Sequence, residues 1–318
     1  MVQSVVYAAG MRIPPPAPRE APARRGFAMM LMIVSSVLIS FGGLLSRLFE
    51  DADPNQINFY RSLSVFFTFS LVFLYNHRGQ SVQDFRKVGW GGVLASLCLT
   101  VAGIAFMQAL AHTTVANTMF TLAAIPFLTA ALAWAFLREH LSMLTVITMC
   151  AAALGVALMV ADGIGLGSVF GNVMALVTAL GFSAFAVIVR RNRHVDMVPA
   201  LILSAIFIVI ISAALRYDDL DISWWDIGLC ILWGGVLSGI GNCMFIVASR
   251  HLVAGELTLF MLLEFAISPF WVWLVVRETP TQWALAGGTL VILAVATRAL
   301  LEMNSKNSLL KRGRPSPV

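Results

Sequence analysis

Long apolar runs alternate with short polar breaks along almost the whole chain. A transmembrane helix needs about 20 apolar residues to cross the bilayer core, and ten runs approach or exceed that length: 27–46, 57–76, 89–111, 114–137, 143–161, 167–189, 197–215, 227–249, 253–276 and 282–301. The third and fourth runs are nearly continuous, as are the eighth and ninth, but one helix of that joint length is too long for a single crossing. The pattern predicts an all-α integral membrane protein with ten transmembrane helices.

The composition supports the same class. Hydrophobic residues make up 59% of the 318 residues and charged residues only 12%, whereas soluble domains contain about 45–50% and about 25%. So few charges do not cover a soluble surface, and so much apolar surface does not stay disordered. The cysteines lie in apolar runs without CxxC spacing, which predicts reduced packing residues and no metal or disulfide site: Cys98, Cys150, Cys230 and Cys243.

Basic residues mark one face of the predicted bundle. With the N-terminus inside, 17 of the 21 lysine and arginine residues fall in cytoplasmic tails and loops, three fall outside, and Arg61 lies within the second run. This asymmetry follows the positive-inside rule. We therefore predict a multi-pass protein of the cell (inner) membrane with both termini in the cytoplasm. Because the basic charge is explained as a topology signal, nucleic acid is not an expected partner.

An internal repeat runs through the apolar region. An offset of 139 residues places AALAWAFLREHLS (130–142) on PFWVWLVVRETPT (269–281). A second register, four residues longer, places WGGVL (90–94) on WGGVL (233–237). Five helices per repeat is an odd number, so the second copy enters the bilayer inverted. Inverted repeats are typical of secondary transporters, which hold substrate near mid-membrane between the two halves.

The repeat and its flanks predict four segments. They are a disordered cytoplasmic N-terminal tail (1–25), a first repeat of helices 1–5 (26–161), a second repeat of helices 6–10 (166–301) and a basic cytoplasmic C-terminal tail (302–318). The first segment contains prolines and arginines and no apolar stretch of signal-peptide length. We therefore expect the first transmembrane helix to serve as its own insertion signal.

The residues that carry the repeat also carry a family resemblance. The chain resembles the drug/metabolite transporter superfamily, of the ten-helix kind with two EamA repeats, over residues 26–301. The features in common are Arg61 early in helix 2, the closing helices CAAALGVALM and TLVILAVATRAL, and the segments LAWAFLRE (132–139), WVWLVVRE (271–278) and GELTLFMLLEFAISP (255–269). The resemblance implies a basket of ten helices around a central cavity. It also implies transport, with export favoured, of small metabolites such as amino acids.

One family feature is divided between the two repeats. Members typically have a Glu-Pro pair in the middle of the fourth helix of a repeat, followed by Glu at its end. Here the first repeat has Ile125-Pro126, the second has Glu264-Phe265 at the same offset, and Pro269 is displaced by a turn. Each repeat keeps one member of the pair, so a symmetric role for the two members is not expected.

Glu264 and Arg61 are the foremost candidate site residues, since ionisable groups inside the bilayer cost roughly 2.5–3.5 kcal/mol each. Glu264 lies near the middle of helix 9. It either exchanges a proton or contacts a substrate amine during transport, or it is a protonated structural acid. Arg61 either attracts a substrate carboxylate, or it snorkels to the interface or pairs with Glu50 or Asp53.

Uncharged residues complete the set of candidates. Gln108, Asn117 and Asn242 are candidate cavity residues, and Asn242 shares a helix face with Gly235 and Gly239 that equally suits close helix packing. Trp271 is a candidate cavity wall. Helix kinks are expected at Pro126 and Pro269, while Glu256 near the start of helix 9 and Asn172 in helix 6 are weaker candidates.

Several functions are left open or disfavoured. The chain has no Walker-type loop, so ATP does not drive transport through this chain alone, and no cofactor is expected. A drug or quaternary-cation exporter that exchanges protons at Glu264 is the main alternative. An integral-membrane enzyme acting on lipid-linked substrates is less favoured, because no catalytic cluster appears. The expected partners are a small-molecule substrate and the lipid bilayer, with the chain either a monomer or a homodimer.

Overall fold

Ten transmembrane helical elements follow one another in the computed structural model. The structure describes residues 22–76, 88–138, 143–166, 168–192, 197–249, 252 and 254–312. Within these residues the elements are α1 (Pro22–Leu45), α2 (Pro54–Asn76), α3 (Gly89–His112), α4 (Val115–Leu122 and Ile125–Leu137), α5 (Met143–Leu166), α6 (Val169–Arg191), α7 (Val198–Leu215), α8 (Trp224–Cys230, Ile231–Ser238 and Gly239–Ser249), α9 (Ala254–Val276) and α10 (Gln282–Arg312). The protein is an all-α multi-pass membrane protein, as predicted.

Seven of the helices are long and apolar enough to cross a membrane within the described residues, and α5, α9 and α10 contain shorter apolar stretches. Because the bilayer core offers backbone groups no water to bond, a helix that bonds its own backbone is the structure these runs adopt. α10 continues to Arg312, beyond the predicted end at 301. The polar residues after 301 include no Gly or Pro before Gly313, so the local sequence does not stop the helix.

Two helices are interrupted in mid-membrane. α4 divides at 123–124, and Pro126 lies in the first turn of its second segment, where a missing N–H leaves no helical bond unmade. α8 contains the π-helix Ile231–Ser238 between two α-helical segments, a rare geometry that is frequent at functional sites. Pro269, by contrast, lies inside the continuous helix α9.

The helix contacts form a two-fold scheme. α3 packs on α6 as α8 packs on α1, and α9 packs on α1 as α4 packs on α6. α2 packs on α7 and α5 packs on α10. Exchanging every helix for the one five places along leaves these pairs unchanged. The helices α4 and α9 also end alike, on Arg138 and Arg277, which have left-handed φ values of 56° and 61°. The helix contacts and the two helix ends are thus alike under this exchange.

The main core is formed by residues of α1–α6 and α8–α10. It includes buried Phe120, Phe127, Trp233, Phe265 and Val272, with Trp271 packed against its edge. α2 and α8 approach most closely at Gly234, where a Cβ atom would lie 2.3 Å from the backbone oxygen of Arg61. A backbone oxygen does not move aside as a flexible side chain would, so this crossing requires glycine.

We expect Gly234→Ala to lower the free energy of unfolding by about 1–3 kcal/mol through overpacking. The measurement is thermal unfolding of the purified protein in detergent. Gly228→Ala, in the same helix, is the matched control, because a Cβ there meets nothing within 4 Å. Equal midpoints for the two variants would contradict the close contact.

Candidate functional site

Arg61 lies where α2 meets the π-helix of α8. Its guanidinium carbon is 5.1 Å from the ring centroid of Trp233, within the range of a cation–π interaction. Trp233 is only 4% exposed and is held from other sides by Phe49 and Phe106, whose ring centroids lie 6.3 and 6.4 Å away. The packed indole ring thus fixes one face of the guanidinium.

Among the residues that the structure describes, the charge of Arg61 has no counter-ion. Its Nε is buried without an acceptor, and no described acid forms an ion pair with it. Asp53, one of the two partners considered from the sequence, instead accepts a hydrogen bond from Arg216 at 2.6 Å. Arg61 lies deep among protein atoms yet is only half-buried.

The Asp53–Arg216 pair is outside the membrane-spanning segments and persists at neutral pH. Burial alone would raise the pKa of Asp53, but the hydrogen bond and charge of Arg216 outweigh it and lower that pKa. The pKa of Arg216 is raised by the same hydrogen bond. An acid with a lowered pKa in the folded state stabilises the fold above its unfolded pKa. That stabilisation is lost only as the pH falls through the lowered value.

Glu264 is another deep ionisable group without an ion-pair partner in the described part of the chain. It lies ten residues after the first residue of α9, about 15 Å along the axis at about 1.5 Å per residue. Like Arg61, it is deep among protein atoms and only half-buried. In the part of the chain that the structure describes, it forms no ion pair with any base.

Glu264 shares a helix face with Ser268 and Trp271, at spacings of four and seven residues. The indole of Trp271 stacks on Phe41 with ring centroids 4.8 Å apart, and its Nε1 donates a hydrogen bond to Ser40 Oγ at 3.0 Å. This face of α9 therefore packs on α1. The candidate cavity-wall residue Trp271 is half-buried at this contact.

α1 lies between the Arg61 and Glu264 sides of the core. A Cβ at Gly42 would meet Trp233 Nε1 at 2.6 Å, and a Cβ at Gly43 would meet Ser268 Oγ at 2.3 Å. The two adjacent glycines thus let α8 and α9 approach the same turn of α1. Arg61 contacts Trp233 of α8 and Glu264 lies on α9, and no ion pair joins them among the described residues.

A third group of charges lies at the end of the bundle that we predict to face outward, called here the predicted outer face. Arg47 Nε donates to Glu278 Oε2 at 2.7 Å. Its two other nitrogens donate to the backbone oxygens of Leu110 and Thr113. Glu278 Oε1 accepts from the backbone N–H of Val115 at 2.8 Å. We call these five residues the outer latch.

The remaining candidates occupy separate places. Asn117 belongs to a buried network with Thr113 and Asn172, in which Thr113 donates to Asn172 Oδ1 at 2.7 Å. Gln108 is half-buried on α3. Asn242 donates to Ser238 O at 2.7 Å within its own helix. Its glycine neighbours Gly235 and Gly239 face Ser64 and Thr68 of α2, and the side chain of Glu256 lies outside the described residues.

The sequence did not suggest the outer latch or the contact between Trp233 and Arg61. Arg47 and Glu278 are 231 positions apart, and each looks like an ordinary interfacial charge. A usable signal was present, however, because both lie at the ends of predicted helices on the same predicted face. Among the described residues, no group of three His, Cys, Asp or Glu side chains could hold a metal ion.

Comparisons with known proteins identify the fold, and a family profile matches part of the sequence. Residues 26–161 match the sequence profile of the EamA-like transporter family. A protein of known crystal structure superimposes with a TM-score of 0.60 and 18% sequence identity, over 87% of this chain and 98% of that chain. At that identity the likeness shows a shared fold alone. A search of curated proteins gave no match.

We expect Arg61→Met to leave thermal stability unchanged or to raise it, because it removes an unpaired charge and keeps a side chain of similar length. Arg47→Met is the matched control. It should lower the unfolding midpoint, since it leaves Glu278 and two carbonyl oxygens without their donor. A large fall in the midpoint of Arg61→Met would show instead that Arg61 is held by a structural partner.

Proposed function

Because the chain belongs, through residues 26–161, to the EamA-like transporter family, we propose that it is a secondary transporter of amino acids or related small metabolites. Transport takes place by alternating access across the cell (inner) membrane. The proposed direction is export, which the sequence resemblance implies. The proposed orientation has both termini in the cytoplasm, in line with the distribution of lysine and arginine.

One observation carries the proposed substrate class. Arg61 and Glu264 are ionisable groups of opposite sign that lie deep among protein atoms on α2 and α9 and form no ion pair among the described residues. An unpaired charge in such surroundings is costly, and a partner that supplies the opposite charge removes that cost. A zwitterion supplies both partners. Its carboxylate meets the donors of Arg61, and its ammonium group meets the carboxylate of Glu264.

The geometry at Arg61 suits a carboxylate. The ring of Trp233 covers one face of the guanidinium, and the Nε edge is buried. The remaining N–H donors are the ones left to meet a ligand, and a planar guanidinium binds the two oxygens of a carboxylate in a fixed orientation. The contact with Trp233 therefore favours one approach direction for the substrate.

The repeat architecture supports the mechanism. The proposed moving units are residues 26–161 and 166–301, which rock about the central site as in other inverted-repeat transporters. α1 of the first unit packs on α8 and α9 of the second, while α6 of the second packs on α3 and α4 of the first. Relative motion of the units changes both interfaces together, which is the coupling that alternating access needs.

We expect proteoliposomes to take up a zwitterionic amino acid faster than the matching deaminated acid or decarboxylated amine. Arg61→Met should abolish the preference for the zwitterion over the amine. Glu264→Gln should abolish its preference over the deaminated acid. Each charged hydrogen bond is worth about 1.5–3 kcal/mol, so each preference should change by about 10–150-fold.

The same uptake measurements also test the main alternative, a drug or quaternary-cation exporter. Faster transport of a permanently charged quaternary amine than of any zwitterion would support the cation exporter instead. Preferences that neither variant alters would show that the two charges do not contact substrate.

We further expect an imposed pH gradient to accelerate substrate movement by the unaltered protein, since Glu264 is the proposed group that alternates between a proton and the substrate. Glu264→Gln cannot take up that proton and should transport at a rate independent of the gradient. The measurement is substrate flux at several internal and external pH values. A Glu264→Gln variant with the full pH profile would remove Glu264 from the coupling.

A further inference from the structure

Each of the two charged residues of the outer latch bonds the end of a helix. Arg47 donates to carbonyl oxygens of Leu110 and Thr113, where α3 ends. Glu278 accepts from the N–H of Val115, where α4 begins. Helix carboxyl ends attract cations and helix amino ends attract anions. The latch is therefore more than an ion pair, because each charge also serves the helix end it touches.

The latch joins the two repeats. Arg47, Leu110, Thr113 and Val115 belong to the first repeat, and Glu278 follows α9 of the second. Other bonds tie the same two units at the same face. Arg216 donates to Asp53, Tyr60 Oη donates to the backbone oxygen of Leu220 at 3.0 Å, and the backbone N–H of Glu50 donates to Asp226. The predicted outer face is therefore closed.

Unsatisfied polar groups lie beneath this closed face. All the buried side-chain nitrogen and oxygen atoms without a partner in the described part of the chain belong to Asn58, Arg61, Asn117, Ser212, Asp226 and Ser268. Each of these residues lies within about 12 Å of the helix end at the predicted outer face, taking about 1.5 Å per residue. They lie on α2, α4, α7, α8 and α9.

Such groups are costly only while they are dry. Buried polar atoms without partners favour any conformation in which water reaches them. Opening the predicted outer face would hydrate these atoms, so they favour the open state. The outer latch opposes them by bonds that break when the repeats separate. The bonds of the outer latch favour the closed state, and the unpartnered polar atoms favour the open state. Two opposing contributions of this kind are the properties of a two-state gate.

We propose that the outer latch is the gate that closes the outer half of the transport path, and that Asn58 and Ser268 line that path when the latch opens. This inference rests on the alternating access proposed above but on no particular substrate. Glu278 is the residue that holds the closed state, since its two oxygens bond both Arg47 and the start of α4.

The test measures the reactivity of single cysteines with a charged methanethiosulfonate reagent. The full-length protein is purified in detergent with its four native cysteines replaced, and Ser268→Cys or Asn58→Cys is introduced as the reporter. Glu278→Gln should speed modification of each reporter about tenfold, the effect of losing a coupling of ordinary size. Two reporters are used because one substitution alone can disturb packing.

Two controls accompany these variants. Glu50→Gln removes an acid from the same face whose side chain has no ion pair among the described residues, and it should leave both rates unchanged. Ser96→Cys reports on the opposite half of the bundle, since Ser96 is buried near the other end of α3. Its modification should not become faster in Glu278→Gln.

The charge-reversed pair Arg47→Glu with Glu278→Arg separates a latch from a simple ion pair. We expect the reporter cysteines to react as fast in this double variant as in Glu278→Gln. The acid at position 47 would then face carbonyl oxygens, and the base at position 278 would face the N–H of Val115. Restored slow modification would show that only the ion pair matters.

Reporter rates that Glu278→Gln leaves unchanged would overturn the gate, and so would an equal rise at Ser96→Cys, which indicates general loosening. Because the labelling experiment contains no substrate, its outcome can be interpreted even if the proposed zwitterion transport fails its own test.

Discussion

The cost of charge in a hydrocarbon environment decides where each ionisable group of this protein lies. A charged side chain at mid-bilayer costs at least about 2.5–3.5 kcal/mol, and few compensations exist there. Arg47 with Glu278 and Asp53 with Arg216 lie at one face, where each charge has a partner. Arg61 and Glu264 lie deeper and form no ion pair among the described residues. The same constraint thus separates the paired charges at one face from the two deep groups that we propose to contact substrate.

α1 connects these two sets of groups. Two of its serines donate to backbone oxygens of α8 and α9, Ser35 to Gly241 at 2.8 Å and Ser36 to Phe260 at 2.9 Å. Further along, the glycines of α1 admit Trp233 and Ser268, and Arg47 follows its last turn. A displacement of α1 therefore alters the substrate side and the outer latch together. Its small and hydroxylated residues are those that let membrane helices pack closely.

The positions of the helices could be predicted from the sequence, because apolar length alone determines what crosses a bilayer. The contacts between helices could not. Arg61 was expected either to meet a substrate or to pair with Glu50 or Asp53, yet it lies against Trp233, a residue that no period or motif connects to it. The latch joins positions 231 residues apart, and such pairs depend on how helices cross. Glu264, by contrast, was identifiable because a lone acid in an apolar run has few explanations.

The π-helix of α8 shows how far context overrides local sequence. The pentapeptide Trp-Gly-Gly-Val-Leu occurs twice, at 90–94 in the regular helix α3 and at 233–237 in the π-helix. Trp90 is 88% exposed and Trp233 is 4% exposed. The same five residues thus adopt both windings, so these five residues alone do not determine the wide winding. A change of residues 233–237 from the π-helix to the narrower α-helix would rotate the ring of Trp233 away from the guanidinium of Arg61 that it now covers.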